Sequence, residues 1–165
     1  MHIGLLTACY APVVNGVTRL VGLYDKYLTA AGHQVTIFTL GEPAPGGDPS
    51  NVVRSPGLSL GQTGYHLAFG YSPAAQRRLH SVDVLHCHHP LMGLEFAGRY
   101  GTGPVVFTNH TRYDLYLNSY GHVPQWLADH MMSFAWRRLT KMADAVIAPS
   151  ASIAGLLQAY GVSAP

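Results

Sequence analysis

Short apolar runs separated by segments of helical period constrain this chain more than any other feature it has. Ile3 to Thr7, Gln34 to Leu40, Val82 to Cys87, Pro104 to Thr108 and Ala145 to Ala148 are such runs. Apolar residues continue through them with little alternation, the pattern of strands covered on both faces. After the first run, Val17, Leu20, Val21, Tyr24, Leu28 and Ala31 recur at helix spacing, opened by Asn15-Gly16 and stopped at Gly32. Further helices are predicted from Ser72-Pro73 to His80, over Leu91 to Tyr100, over Pro124 to Met142, and over Ala151 to Tyr160 with Ser150 as its cap. A short third strand falls within Asn51 to Leu60, Gly41 to Ser50 reads as a Pro- and Gly-rich loop, and residues 61–72 carry no assignable pattern. Strands alternating with helices over the whole length predict an α/β fold, a Rossmann-like doubly wound parallel sheet. Such sheets bind ligands at the carboxyl ends of their strands, near the switch in strand order. That rule selects the loops 8–16, 87–91, 109–122 and 148–151.

Composition narrows the function classes. Apolar residues make up 48% of the 165 and charged residues 11%, the latter well under the roughly 25% usual for soluble domains. Low charge of this kind suits a sheet covered on both faces or a large partner surface. A net charge of +2 leaves no footprint for nucleic acid. No run approaches the ~20 apolar residues that span a bilayer. Met1-His2-Ile3-Gly4 lacks the basic region of a signal peptide and reads as a first strand, so the expected location is the cytoplasm. Cys9 and Cys87 give no disulfide framework and are expected as free thiols.

Three groups of residues could carry chemistry. Asn15-Gly16 opens a helix directly after the first strand, where free backbone N–H groups and the helix dipole attract phosphate and glycine allows close approach. An ordinary turn is the competing reading, because Asn-Gly is a common turn pair. His110 stands where a strand gives way to the polar, aromatic loop Thr111-Arg112-Tyr113-Asp114, so a neutral imidazole there could donate or accept a hydrogen bond in a cleft. A loop histidine bonded to local backbone is the alternative. His86-Cys87-His88-His89 suggests a metal site, but period two turns His86 and His88 to one face and Cys87 and His89 to the other. His88 and His89 are therefore expected to line the cleft, with no metal bound. No G-x-G-x-x-G occurs, which argues against a dinucleotide-dependent oxidoreductase.

The predicted helix 124–142 has a core stripe of Leu127, Met131, Phe134, Ala135, Leu139 and Met142. Its flank of Trp126, His130, Arg137, Arg138 and Lys141 is a solvated face or a contact for anionic lipid.

In order along the chain, these signals resemble a known family. Thr7 to Val17 is similar to the first loop of glycosyltransferase family 4, in particular of diacylglycerol glucosyltransferases and phosphatidylinositol mannosyltransferases. His86 to Gly93 resembles that family's His-x-His-x-Pro strand motif, and Asn109 to Tyr116 its His-Thr-x-Tyr loop. Ala143 to Ser150 resembles the strand in which the first domain ends. The resemblance implies the GT-B architecture, two Rossmann-like domains facing one cleft. It implies retaining transfer of a sugar from a nucleotide-diphosphate sugar, without a cofactor or metal, to an acceptor that is a lipid or a glycan. Gly16, with Asn15, would meet the donor diphosphate, and His110 would contact the donor sugar as the catalytic residue. Tyr10, His88, His89, Thr111, Tyr113 and Asp114 would form the acceptor side of the cleft.

On this reading residues 1–165 are the N-terminal, acceptor-side domain, and the small-residue tail after Gly161 starts a linker. The C-terminal donor-binding domain, with its Glu-x7-Glu motif, is absent, since Glu42 and Glu95 are isolated. The fragment alone is expected to be inactive, with peripheral contact at the inner face of the plasma membrane. A non-catalytic module binding an acceptor, a membrane surface or a partner subunit is the competing function.

Overall fold

Side chains that alternate along each strand and are apolar on both faces need cover from two layers, and that is how the chain is built. The computed structural model describes residues 1–43, 45–60, 64–113 and 124–162. The central sheet contains β1 (His2–Leu6), β2 (Gln34–Leu40), β3 (Val52–Ser55), β6 (Val84–Cys87), β7 (Val105–Thr108) and β8 (Ala145–Ile147). Two short strands, β4 (Leu58–Ser59) and β5 (His66–Leu67), pair antiparallel beside it. All pairings in the six-stranded sheet are parallel, in the order β3-β2-β1-β6-β7-β8. The chain runs outward from β1 in one direction and then in the other, so the switch in strand order lies between β1 and β6.

Ile3, Leu5, Val35 and Ile37 point to one face, where Val21 of α1 (Gly16–Ala30) covers them. Leu6, Phe38, Leu40, Leu85, Cys87 and Phe107 point to the other. That face is closed by Ala75 and Leu79 of α2 (Pro73–Leu79), Phe96 and Ala97 of α3 (Glu95–Tyr100) and Trp136 of α4 (Gln125–Leu139). Tyr160, directly after α5 (Ala151–Ala159), completes it. Cys9 and Cys87 are both buried free thiols.

Two expectations are corrected. The helix expected to start at Leu91 starts at Glu95. Leu91 is extended and Met92 left-handed (φ 61°), inside a wide turn over Pro90–Leu94 closed by the Leu94 N–H to the His89 carbonyl. This turn folds over the end of β1, where a side chain at Gly93 would press within 3.4 Å of the Leu6 carbonyl oxygen. The second correction concerns α4. Phe134 is 66% exposed, and Met131 and Met142 are exposed as well, whereas Trp136 is 3% exposed. The apolar pattern of this helix permits two rotations about its axis. Packing of the indole against Phe107 and Tyr113, at centroid distances of 5.8 and 5.7 Å, selects the one that buries Trp136. In the stretch that carried no assignable pattern, His66 and Leu67 form β5, whose two residues are too few to show a periodicity.

Candidate active site

Helix α1 begins where β1 ends, and its first turn is capped by its own sequence. The Asn15 side chain accepts from the Thr18 N–H at 2.9 Å, and the Thr18 hydroxyl accepts from the Asn15 N–H at 2.9 Å. The Arg19 N–H bonds the Asn15 carbonyl. The N–H groups of Gly16 and Val17 are left with no acceptor among the described residues, at the positive end of a 15-residue helix. Nothing lies within 4 Å of where a Gly16 Cβ would stand, so packing in this structure does not require glycine there.

These two residues face a cavity of about 360 Å³, which Asn15, Tyr65, His110 and Thr111 also line. It sits at the carboxyl ends of the strands beside the switch point. Among the described residues that line it there is no carboxylate, and hydrogen-bond donors are frequent. Such a cavity suits an anion.

Behind the wall lies a cluster of imidazoles. His88 is 1% exposed, and its Nδ1 is 3.0 Å from Nε2 of His110. The two rings are nearly parallel, 17° apart. His86 packs on His88 at a centroid distance of 4.3 Å and shares a 2.8 Å hydrogen bond between its Nε2 and the Thr108 hydroxyl. Tyr24 of α1 touches both rings. His89 points to the opposite face, as period two requires, where its Nδ1 accepts the Ala8 N–H at 3.2 Å. That bond places the His89 proton on Nε2. Burial pushes His86 and His89 down to about 4 and His88 well below the ordinary histidine value, with neighbouring imidazoles adding to the effect. Burial also lowers His110. The cluster is thus neutral at pH 7 and serves as a hydrogen-bonding framework.

The sequence-derived site is partly assembled. Asn15, Gly16, His110 and Thr111 meet at one cavity. His88 and His89 do not line it; both are buried beneath, and their part is to hold the loops after β1, β6 and β7 in place. Tyr10 leans on α1, near Gly22. Tyr113 turns its ring to Trp136. Neither tyrosine lines the cavity, because both rings find apolar cover elsewhere. Asp114 lies outside the described residues. The loop 148–151 contributes no lining residue, and Ser150 is occupied capping α5. Val17 was read only as a helix position, and Tyr65 is the second lining residue that sequence reasoning missed. It precedes β5, and its ring meets the His89 ring edge-on at 5.7 Å. Among the described residues no three His, Cys, Asp or Glu side chains converge as metal ligands.

The model of Glycosyltransferase Family 4 matches residues 14–165. The chain belongs to glycosyltransferase family 4. Among its family relatives, the alpha-monoglucosyldiacylglycerol synthase of Acholeplasma laidlawii is 32% identical over 129 residues, covering 70% of this chain and 31% of the synthase. A solved alpha-glucosyltransferase, in complex with UDP and a 13-mer DNA containing a central A:G mismatch, superposes with a TM-score of 0.50. That match covers 92% of this chain and 37% of the other at 13% identity, and it shows the fold, the Rossmann-like half of a GT-B glycosyltransferase. The chain thus spans about a third of the length of either protein.

Proposed function

We propose that this chain forms the acceptor-side wall of a retaining glycosyltransferase, which moves a sugar from a nucleotide-diphosphate sugar to a lipid acceptor without a resident metal. One observation carries the reading. The N–H groups of Gly16 and Val17, without an acceptor among the described residues, and the ring of His110 share a cavity at the switch point whose described lining holds no carboxylate. An oxyanion-type site of this kind stabilises charge building on the diphosphate as the glycosidic bond breaks. His110, which lines the same cavity, is assigned to the sugar. The family relative makes diacylglycerol-type lipids the acceptors to test first, and UDP is the first nucleotide to test. Donor-binding groups beyond this wall are supplied by a second GT-B domain, so the 165 residues alone are inactive.

A lipid acceptor requires the enzyme to reach a bilayer. No helix among the described residues is long and apolar enough to cross one. The exposed face of α4 offers a peripheral alternative at the cytoplasmic leaflet: Trp126, Met131 and Phe134 stand among His130, Arg137 and Arg138, with Lys141 two residues beyond the helix. Aromatic rings at headgroup depth beside basic side chains suit an anionic lipid surface.

The test is turnover of nucleotide sugars by the full-length enzyme with diacylglycerol-type acceptors, comparing His110→Ala with His89→Ala. His110→Ala is expected to lower turnover far more. Equal losses would displace the donor sugar from His110, and a full-length protein that binds acceptor but turns over no donor would be a binding module instead.

A further inference from the structure

One guanidinium joins separate parts of the chain around the loop that follows β1. Arg54 of β3 meets the carboxylate of Asp48 with two bonds, Nε to Oδ2 at 2.6 Å and Nη2 to Oδ1 at 3.0 Å. Its Nη1 donates to the Leu40 carbonyl at the end of β2 at 3.2 Å, and its Nη2 also donates to the carbonyl of Ala11. The side chains of Arg54 and Asp48 are 9% and 13% exposed, so salt screens the pair little. A planar fork reaches a carboxylate and two carbonyls at once, which the point charge of a lysine cannot do.

Ala11 lies in a turn that has little else to hold it. Ala11, Pro12 and Val14 are exposed, and the bond from the Val13 N–H to the Tyr10 carbonyl is internal to the turn. Among the described residues, the bond from Arg54 is the one hydrogen bond that ties residues 10–13 to the sheet. The same turn is joined to lining residues of the cavity in two ways. Val13 packs so closely on Gly64 that a Cβ there would come within 2.6 Å of Val13 Cγ2, and Tyr65, the next residue, lines the cavity. Asn15 and Gly16, a short step beyond Val13 in the chain, line it as well. We infer that Arg54 is a positioning residue: through the Ala11 carbonyl it holds the turn 10–13 against the sheet, and so sets where Asn15, Gly16 and Tyr65 stand around the cavity.

The part Arg54 plays in turnover rests on the proposed function for what the cavity binds, whereas its hold on the turn does not. An anion site made of backbone N–H groups stabilises developing charge only if it is already in place when the charge appears. Helix α1 is rigid through its own hydrogen bonds, but its first residues are reached through an exposed loop, and the Arg54 fork fixes that loop at one point. Asp48 supports the task, because its carboxylate holds the guanidinium where Nη2 reaches Ala11.

Backbone 15N relaxation of the 165-residue chain tests the hold directly. Order parameters at Ala11, Val13 and Val14 are expected at about 0.85, the value of rigid backbone. Arg54→Met combined with Asp48→Leu removes the fork without leaving a buried charge unpaired. In that variant the three values should fall below about 0.6, while those of the α1 interior stay unchanged. Arg54→Lys keeps a charge beside Asp48 but gives up the fork, and it should loosen the same residues, so a misfolded paired variant leaves the test decisive. Values below about 0.6 in the unsubstituted chain, or values still at about 0.85 in a folded variant, overturn the inference. In the full-length enzyme both variants are expected to lower donor kcat/KM by about 10-fold or more per folded molecule. A purely structural role would lower the urea midpoint and leave kcat/KM of the folded molecules unchanged, and that result rejects positioning. If Gly16→Ala leaves turnover intact, the proposed function fails while relaxation still judges the hold on the turn. If Gly16→Ala impairs turnover and the Arg54 variants do not, the positioning role fails and the proposed function stands.

Discussion

Asn15 and Thr18 cap each other across the first turn of α1, each side chain accepting the other's backbone N–H at 2.9 Å. The reciprocal bonds use up the N–H of Thr18 and leave those of Gly16 and Val17, two residues that line the cavity, without an acceptor among the described residues. Cap and anion site are therefore separable by substitution. Asn15→Ala should cost about 1 kcal/mol of stability through the lost cap. Asn15→Asp retains the cap and suits the dipole, yet sets a negative charge beside the diphosphate. It should leave the urea midpoint nearly unchanged while raising the donor KM of the full-length enzyme. A donor KM insensitive to Asn15→Asp would remove the diphosphate from this helix.

Gly16→Ala tests the same site from the other side. Its Cβ would meet no atom within 4 Å in the free protein, and alanine is the better helix former by up to about 1 kcal/mol. Thermal stability should hold or rise slightly, while turnover by the full-length enzyme falls because the methyl group intrudes on the bound donor. Undiminished turnover would mean that the donor does not approach this backbone.

The buried imidazoles make stability depend on pH. Burial pushes His86 and His89 down to about 4 in the folded chain, against about 6.5 unfolded. Between these values the unfolded chain binds protons that the folded one refuses. The stabilising effect is therefore complete above about 6.5 and is lost as pH falls toward 4, on the order of 3 kcal/mol per ring. Urea midpoints should drop steeply over this window. His89→Asn keeps an acceptor for the Ala8 N–H but removes the titration, so it should flatten the slope by about one proton. A slope unchanged in that variant would show that His89 is not among the groups responsible.

The exposed face of α4 is open to a vesicle test. Trp126 is 71% exposed, and the pair Trp126→Ser, Phe134→Ser should reduce sedimentation with vesicles containing phosphatidylglycerol. Arg138→Glu with Lys141→Glu should do the same, each lost basic residue weakening binding by about 1 kcal/mol at low salt. Binding unaffected by both pairs would place the membrane contact on another surface.

Sequence and tertiary structure decided different things about this protein. The parallel α/β sheet, the opening of α1 at Asn15-Gly16 and the opposite facing of His88 and His89 were readable because each rests on local periodicity or on adjacent residues. The order of motifs likewise pointed to glycosyltransferase family 4, to which the chain belongs. The rotation of α4 was not readable, since its apolar pattern serves two orientations and only the packing of Trp136 on Phe107 chose between them. Nor was the presence of Tyr65 in the cavity, which depends on a two-strand pairing of residues several positions apart. Above all, His88 and His110 are 22 residues apart in sequence, and both looked like cleft residues. Parallel pairing of β6 with β7 brings them within hydrogen-bond distance, and burial then assigns one to the framework and the other to the cavity.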